Sequence, residues 1–226
     1  MLALDDKTGE ISPAVMPFIG CSLVAAALLD LYLSGLLKRS VPHGEATAIY
    51  RLSSSITITG DAYCDHVFNT LAKYNPSEQT GDFTTFGFRY LDRVAPFHRM
   101  QAAQHRLQLR LVAGDLLRRG ALVADTKTMA GLFRRERLLP GEQDSGEDSL
   151  RLALQVVANR ETTFPTDERI LSLLMLIVAT GLAKNVWGAN GDVAEWRIRK
   201  TLRLVTEPSS IWADANRFAR YGAAND

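Results

Sequence analysis

A chain of 226 residues in which 46% of the side chains are apolar is long enough to bury one good core, and its length sits at the upper end for a single domain. Its two cysteines, Cys21 and Cys64, lie in apolar segments without metal-ligand spacing, so they read as buried thiols in a reducing compartment and not as a bridge. The net charge of +1 conceals an uneven distribution, because nine basic residues face only three acidic ones between Phe97 and Arg137 and the remainder of the chain is acidic.

In chain order, residues 1–10 carry Asp5 and Asp6 where a secretory signal needs basic residues followed by an apolar run, so no export is expected and a cytoplasmic location is. Ser12 and Pro13 form an N-cap and first-turn signature. The apolar run behind them predicts a helix to about Lys38, with Lys38 and Arg39 facing its carbonyl end. Residues 48–52 and 55–59 are short β-branched runs that predict two strands. Gly60 and Asp61 open a second helix to Tyr74, and residues 75–82, with Pro76 and Gly81, predict a surface loop. Asp82 or Thr84 caps a short helix that stops near Pro96, and a long helix follows to Arg119.

Gly120, just after Arg118 and Arg119, predicts a helix C-terminus. Residues 121–124 and 129–135 then flank Asp125, Thr126, Lys127 and Thr128, the layout of a β-hairpin with a four-residue tip. Residues 140–147 read as a polar link, and residues 149–159, 166–186, 192–206 and 209–221 as four helices. The 166–186 segment is apolar nearly all round and must be enclosed by others. The expected fold class is therefore mainly α: one domain over residues 1–226, a helical bundle around a central buried apolar helix, with short β-strands and a protruding β-hairpin at its margin. Two apolar stretches, 16–37 and 170–183, read as core helices and not as membrane spans.

Catalytic constellations are not legible. Asp61, Asp65 and His66 put two carboxylates four apart beside a histidine, an arrangement able in principle to hold a divalent metal, but acidic residues in a first helical turn also favour the macrodipole with no ligand. The serine run at 53–55 lacks a glycine-flanked nucleophile elbow, and no glycine-rich phosphate loop with its lysine is present. No cofactor, metal or enzymatic activity is expected.

What remains is the basic segment. Arg106 and Arg110, four apart, share a face of the long helix, while Arg134 and Arg135 lie on the returning arm of the hairpin. Guanidinium forks suit phosphate oxygens, so these four residues are candidate ligands for lipid headgroups, with a solvated charged face as the plain alternative. Met129, Leu132 and Phe133 are apolar neighbours of those arginines and candidate membrane-inserting residues, although a hairpin folding them onto the bundle fits the sequence equally.

Several stretches resemble the Golgi phosphoprotein 3 family: Leu4-Asp5-Asp6-Lys7-Thr8-Gly9-Glu10-Ile11, then Ala27-Leu28-Leu29-Asp30-Leu31-Tyr32-Leu33-Ser34-Gly35, then Leu116-Leu117-Arg118-Arg119-Gly120-Ala121-Leu122, and the helical region at 150–187. The resemblance implies a mainly helical domain with a buried central helix and an apolar hairpin. In eukaryotic members it also implies binding of phosphatidylinositol 4-phosphate at the Golgi, capture of glycosyltransferase tails, and self-association through the hairpin. The family's headgroup pocket takes a tryptophan and an arginine from the first helix, and the matching places here hold apolar residues near Val15 and at Val24. Of two further pocket arginines three apart, Arg106 matches the first and Leu109 falls at the second, with Arg110 adjacent. The departures favour a general preference for anionic membrane, and the alanine- and arginine-rich composition favours a bacterial relative.

The leading expectation is thus a peripheral membrane adaptor that docks on anionic lipid, with protein tails and a homo-oligomer as further partners. The alternative is an interaction or oligomerisation module with no lipid role. Nucleic acid is not expected, since the basic segment carries neither a helix-turn-helix nor an aromatic stacking platform.

Overall fold

The computed structural model describes residues 16–45, 47–53, 59–74, 79–94, 101–129, 133–141, 154–156, 167–205 and 210–221, of which 16–17, 101–107, 126–129, 133–137, 140 and 202–205 are described by their backbone alone. Helix α1 (Met16–Leu33) is built on alanines and leucines, which lose little side-chain freedom in a helix. Val24, Ala25, Leu28 and Leu31 have no solvent exposure. The helix ends earlier than its apolar content predicts. Gly35 takes a left-handed φ of 76°, Leu36 N–H donates to the Leu31 carbonyl at 2.8 Å and Gly35 N–H to Tyr32 at 2.9 Å, a paired closure that satisfies the last carbonyls. Lys38 and Arg39 therefore stand on a strand and not at a helix end; the Ser12–Pro13 cap lies outside the described residues.

That strand is β1 (Leu37–Ser40), which pairs antiparallel with β2 (Ile49–Leu52), Leu37 opposite Leu52 and Ser40 opposite Ile49. The third strand, β3 (Thr80–Gly81), pairs with Tyr50 and Arg51, so part of the stretch read as a surface loop is a sheet edge. The strand expected at 55–59 falls mostly outside the described residues. Tyr50 fixes the sheet to the helices: its hydroxyl donates to Asp214 Oδ2 at 2.7 Å and accepts from Arg39 Nε at 3.1 Å. Burial, and then the Asp214 carboxylate, push this phenol far above its ordinary range, so it stays a donor.

Helix α2 (Ala62–Ala72) starts where Asp61 Oδ1 accepts from Tyr63 N–H and Cys64 N–H, both at 2.9 Å, and α3 (Phe83–Val94) starts where Asp82 Oδ1 accepts from Thr85 N–H at 2.6 Å. Helix α4 (Gln101–Arg118) sends fully buried Gln108 between them. Its Oε1 accepts from Tyr63 at 2.6 Å and from Tyr90 at 3.1 Å, and burial pushes the Tyr90 phenol up to about 12.

The apolar segment near the C-terminal end is two helices. After α5 (Glu168–Ala179), Gly181 adopts φ 70° and the chain restarts as α6 (Ala183–Trp187), so the predicted 166–186 helix is broken. A 3₁₀ turn (Gly188–Asn190) leads into α7 (Gly191–Val205), and Ser210 caps α8 (Ile211–Arg220). Helix α1 packs against α2, α3, α4, α5, α8 and β1, and α5 against α7 and α8. Of the helix expected at 149–159, residues 154–156 are described, and they are helical. Among the described residues no single helix is long and apolar enough to cross a membrane. Glu168–Ala179 and Ala183–Thr201 pass that test only as a pair, bent by 112°. The protein is mainly α-helical, with short strands forming two small sheets.

Candidate functional site

The second sheet is a two-stranded ribbon, β4 (Leu122–Met129) paired antiparallel with β5 (Phe133–Pro140). Gly120 ends α4 with φ 71°, Ala121 N–H donating to Leu116 at 2.9 Å and Gly120 N–H to Leu117 at 3.1 Å, as its position after Arg118 and Arg119 predicts. At the root of the ribbon, Ala121 and Leu122 are buried, and Gly141 N–H donates to the Ala121 carbonyl at 3.0 Å. A side chain at Gly141 would run into the Gly120 carbonyl, so the two arms meet there backbone to backbone.

The register moves the tip. Asp125, Thr126, Lys127 and Thr128 are strand residues facing Arg137, Glu136, Arg135 and Arg134, and the pairing continues to Met129 opposite Phe133. A polar run predicts a turn, but a two-stranded ribbon accepts polar and β-branched residues on both faces. Met129 and Phe133 are thereby the last pair of the ribbon. Leu132 lies outside the described residues. Because strand positions alternate between faces, positions 134 and 135 belong to opposite faces of the ribbon, and Met129, Phe133, Lys127 and Arg135 occupy positions of one face.

Arg106 and Arg110 lie one turn apart on α4, and Arg110 is exposed. Of the positions matching the family's headgroup pocket, Val24 is in the core, Leu109 packs against the core, and Val15 lies outside the described residues. At the end of α4, mostly buried Asp115 holds Arg118 at 3.0 Å and Arg119 at 2.7 Å. Arg119 also reaches Asp61 Oδ2 at 3.2 Å, tying the ribbon root to the start of α2. Sequence reasoning missed this tie because the partners are far apart in the chain and only the α2–α4 packing brings them together.

The metal reading of Asp61, Asp65 and His66 meets other uses for the same atoms. Asp61 caps α2, and Asp65 Oδ1 accepts from Thr59 N–H at 2.7 Å and Thr59 Oγ1 at 2.8 Å. His66 stands edge-on to Tyr90, and burial, followed by the Lys73 charge, holds its imidazole below the ordinary value. Among the described residues no group of three or more His, Cys, Asp or Glu is placed to hold a metal ion. Cys21 and Cys64 are buried thiols not joined in a disulfide, as their apolar context predicts. Cys64 Sγ lies 3.9 Å from Asp30 Oδ2, and burial, then the charge of Asp61, pushes its thiol far up.

The family model described as Golgi phosphoprotein 3 (GPP34) matches residues 1–217. A search of curated proteins finds no match to this chain. With nearly the whole chain matched by one family model, the protein belongs to the Golgi phosphoprotein 3 family.

Proposed function

We propose that the protein is a peripheral membrane adaptor that docks on anionic lipid through its β4–β5 hairpin and the arginines of α4. The observation that carries this reading is the register of the ribbon: Met129 and Phe133 are the terminal pair, and the pairs Thr128–Arg134 and Lys127–Arg135 stand directly behind. At about 3.3 Å per residue the second of these pairs is roughly 7 Å behind the tip. That spacing matches a tip buried about 5–10 Å into the headgroup boundary with guanidinium groups at the phosphates. An end-on entry also explains how arginines on opposite faces serve one membrane. In this reading the hairpin protrudes from a bundle gathered around central apolar helices, and Arg106 and Arg110 supply a further lipid contact.

The role is docking and not catalysis, at the cytoplasmic side of a membrane. The apolar residues at Val24 and Leu109, where the family pocket has arginines, favour general anionic lipid over one phosphoinositide. Composition favours a bacterial member. Capture of protein tails belongs to the same proposal. Self-association is favoured by β4 and β5 pairing only with each other among the described strands, which leaves two ribbon edges for another copy.

Flotation of the full chain with vesicles tests the reading. Binding to phosphatidylserine-containing vesicles, weak binding to phosphatidylcholine alone, and loss on reversing Arg134 and Arg135 to Glu are expected. Absence of binding, or binding that survives the reversal, refutes it.

A further inference from the structure

A second surface joins an apolar aromatic side chain to cations, on α7. The inner line of that helix, Ala194 and Ile198, is fully buried in the core. At 100° per residue, Val193, Trp196 and Lys200 fall on the opposite side. Trp196 is 61% exposed, Val193 is 42% exposed, and Lys200 Nζ lies 5.2 Å from the indole centroid. The other two tryptophans do structural work: Trp187 donates to the Leu154 carbonyl at 2.9 Å and Trp212 to Ser172 Oγ at 3.0 Å. Core packing therefore accounts for those two and gives no reason for an indole at 196.

The charge of the helix favours an anionic partner. Its two acids are already matched, Asp192 with Lys184 at 3.3 Å and Glu195 with Arg199 at 2.6 Å, while Lys200 stands beside the exposed indole. Two exposed apolar side chains fall far short of the roughly 800 Å² that each side of a stable protein interface buries. They suffice for interfacial partition, where an indole lies at headgroup level and each nearby cation adds to the attraction.

We propose that this face of α7 is a second membrane contact, in which Trp196 enters the headgroup layer of an anionic bilayer and Lys200 swings from the indole to a lipid phosphate. It rests on the reading that the protein meets anionic lipid, but it does not use the hairpin.

Tryptophan emission of the full chain, titrated with phosphatidylserine/phosphatidylcholine vesicles carrying brominated acyl chains, tests it. The expected result is a blue shift with quenching in the wild type that is missing in Trp196→Phe, and vesicle affinity about tenfold weaker in Trp196→Ala. Lys200→Glu should weaken binding at low salt, with an unchanged melting temperature. If the wild type floats with vesicles while the Trp196 contribution does not change, the α7 contact is overturned and the hairpin reading stands. If nothing floats, both fall. A blue shift on raising protein concentration without vesicles assigns the face to a second copy and also overturns the proposal.

Discussion

Lys127 stands directly across the β4–β5 ribbon from Arg135. Like charges at opposed positions disfavour pairing, while opposite charges contribute roughly 0.2–1 kcal/mol. If the ribbon keeps two cations there for an anionic surface, Lys127→Glu should raise thermal stability slightly while weakening binding to phosphatidylserine vesicles and flattening its salt dependence. Melting curves and flotation across a salt series check this; equal vesicle binding in the variant counts against a lipid role for this pair.

Gln108 is the shared acceptor of two buried phenols. In Gln108→Leu both hydroxyls lose it, and each unsatisfied buried donor costs about 1–3 kcal/mol. A loss of several kcal/mol is expected in urea unfolding, with Tyr90→Phe, which removes one donor and leaves the acceptor in use, costing far less. Similar costs for the two variants would show that the hub is not shared in this way.

His66 gives acid sensitivity of defined sign. Its imidazole is held below the ordinary value, first by burial and then by Lys73, and its Nε2 is buried without a hydrogen-bond partner. The unfolded chain therefore takes up this proton first as pH falls through about 6.5. Above that pH the group has no effect, and below it stability declines until the folded state also protonates. Urea midpoints from pH 7.5 down to 5 should fall less steeply in His66→Gln than in the wild type; parallel curves would remove His66 from the account.

Gly87 faces the ring of Phe218, and a methyl group there overlaps the ring atoms. Phe218 has no freedom to retreat, being buried with Phe83 at 6.2 Å and Phe88 at 5.4 Å. Overpacking of this kind costs about 1–3 kcal/mol. Gly87→Ala should lower the melting temperature despite its better helix propensity, and a paired Phe218→Leu should recover part of the loss.

Local determinants were readable from the chain. Asp61, Asp82 and Gly120 end or begin helices through their own side chain or backbone, so their roles could be assigned without the fold. The breaks at Gly35 and Gly181 were hidden because apolar residues continue past both glycines, and hydrophobicity carries no information about φ. Strand β3 is invisible in the sequence, since two residues of a polar stretch become a strand only by pairing with Tyr50 and Arg51. At the candidate site the cluster of arginines and apolar residues was legible, but its register was not. Pairing Met129 with Phe133 and not using Asp125–Thr128 as the turn is a property of two strands together. Trp196 carried a readable signal, because the helical repeat sets it opposite Ala194 and Ile198.

The central claim is that the hairpin tip enters an anionic membrane, and a polarity-sensitive fluorophore on the ribbon tests it most directly. Cys21 and Cys64 are buried, so a thiol introduced by Phe133→Cys or by Asp125→Cys can be labelled selectively. Position 125 is four pairs behind position 129, roughly 13 Å along the strand. With phosphatidylserine vesicles, the label at 133 should brighten and shift to the blue while the label at 125 stays aqueous. Both labels remaining aqueous while the protein floats with the vesicles would contradict the account.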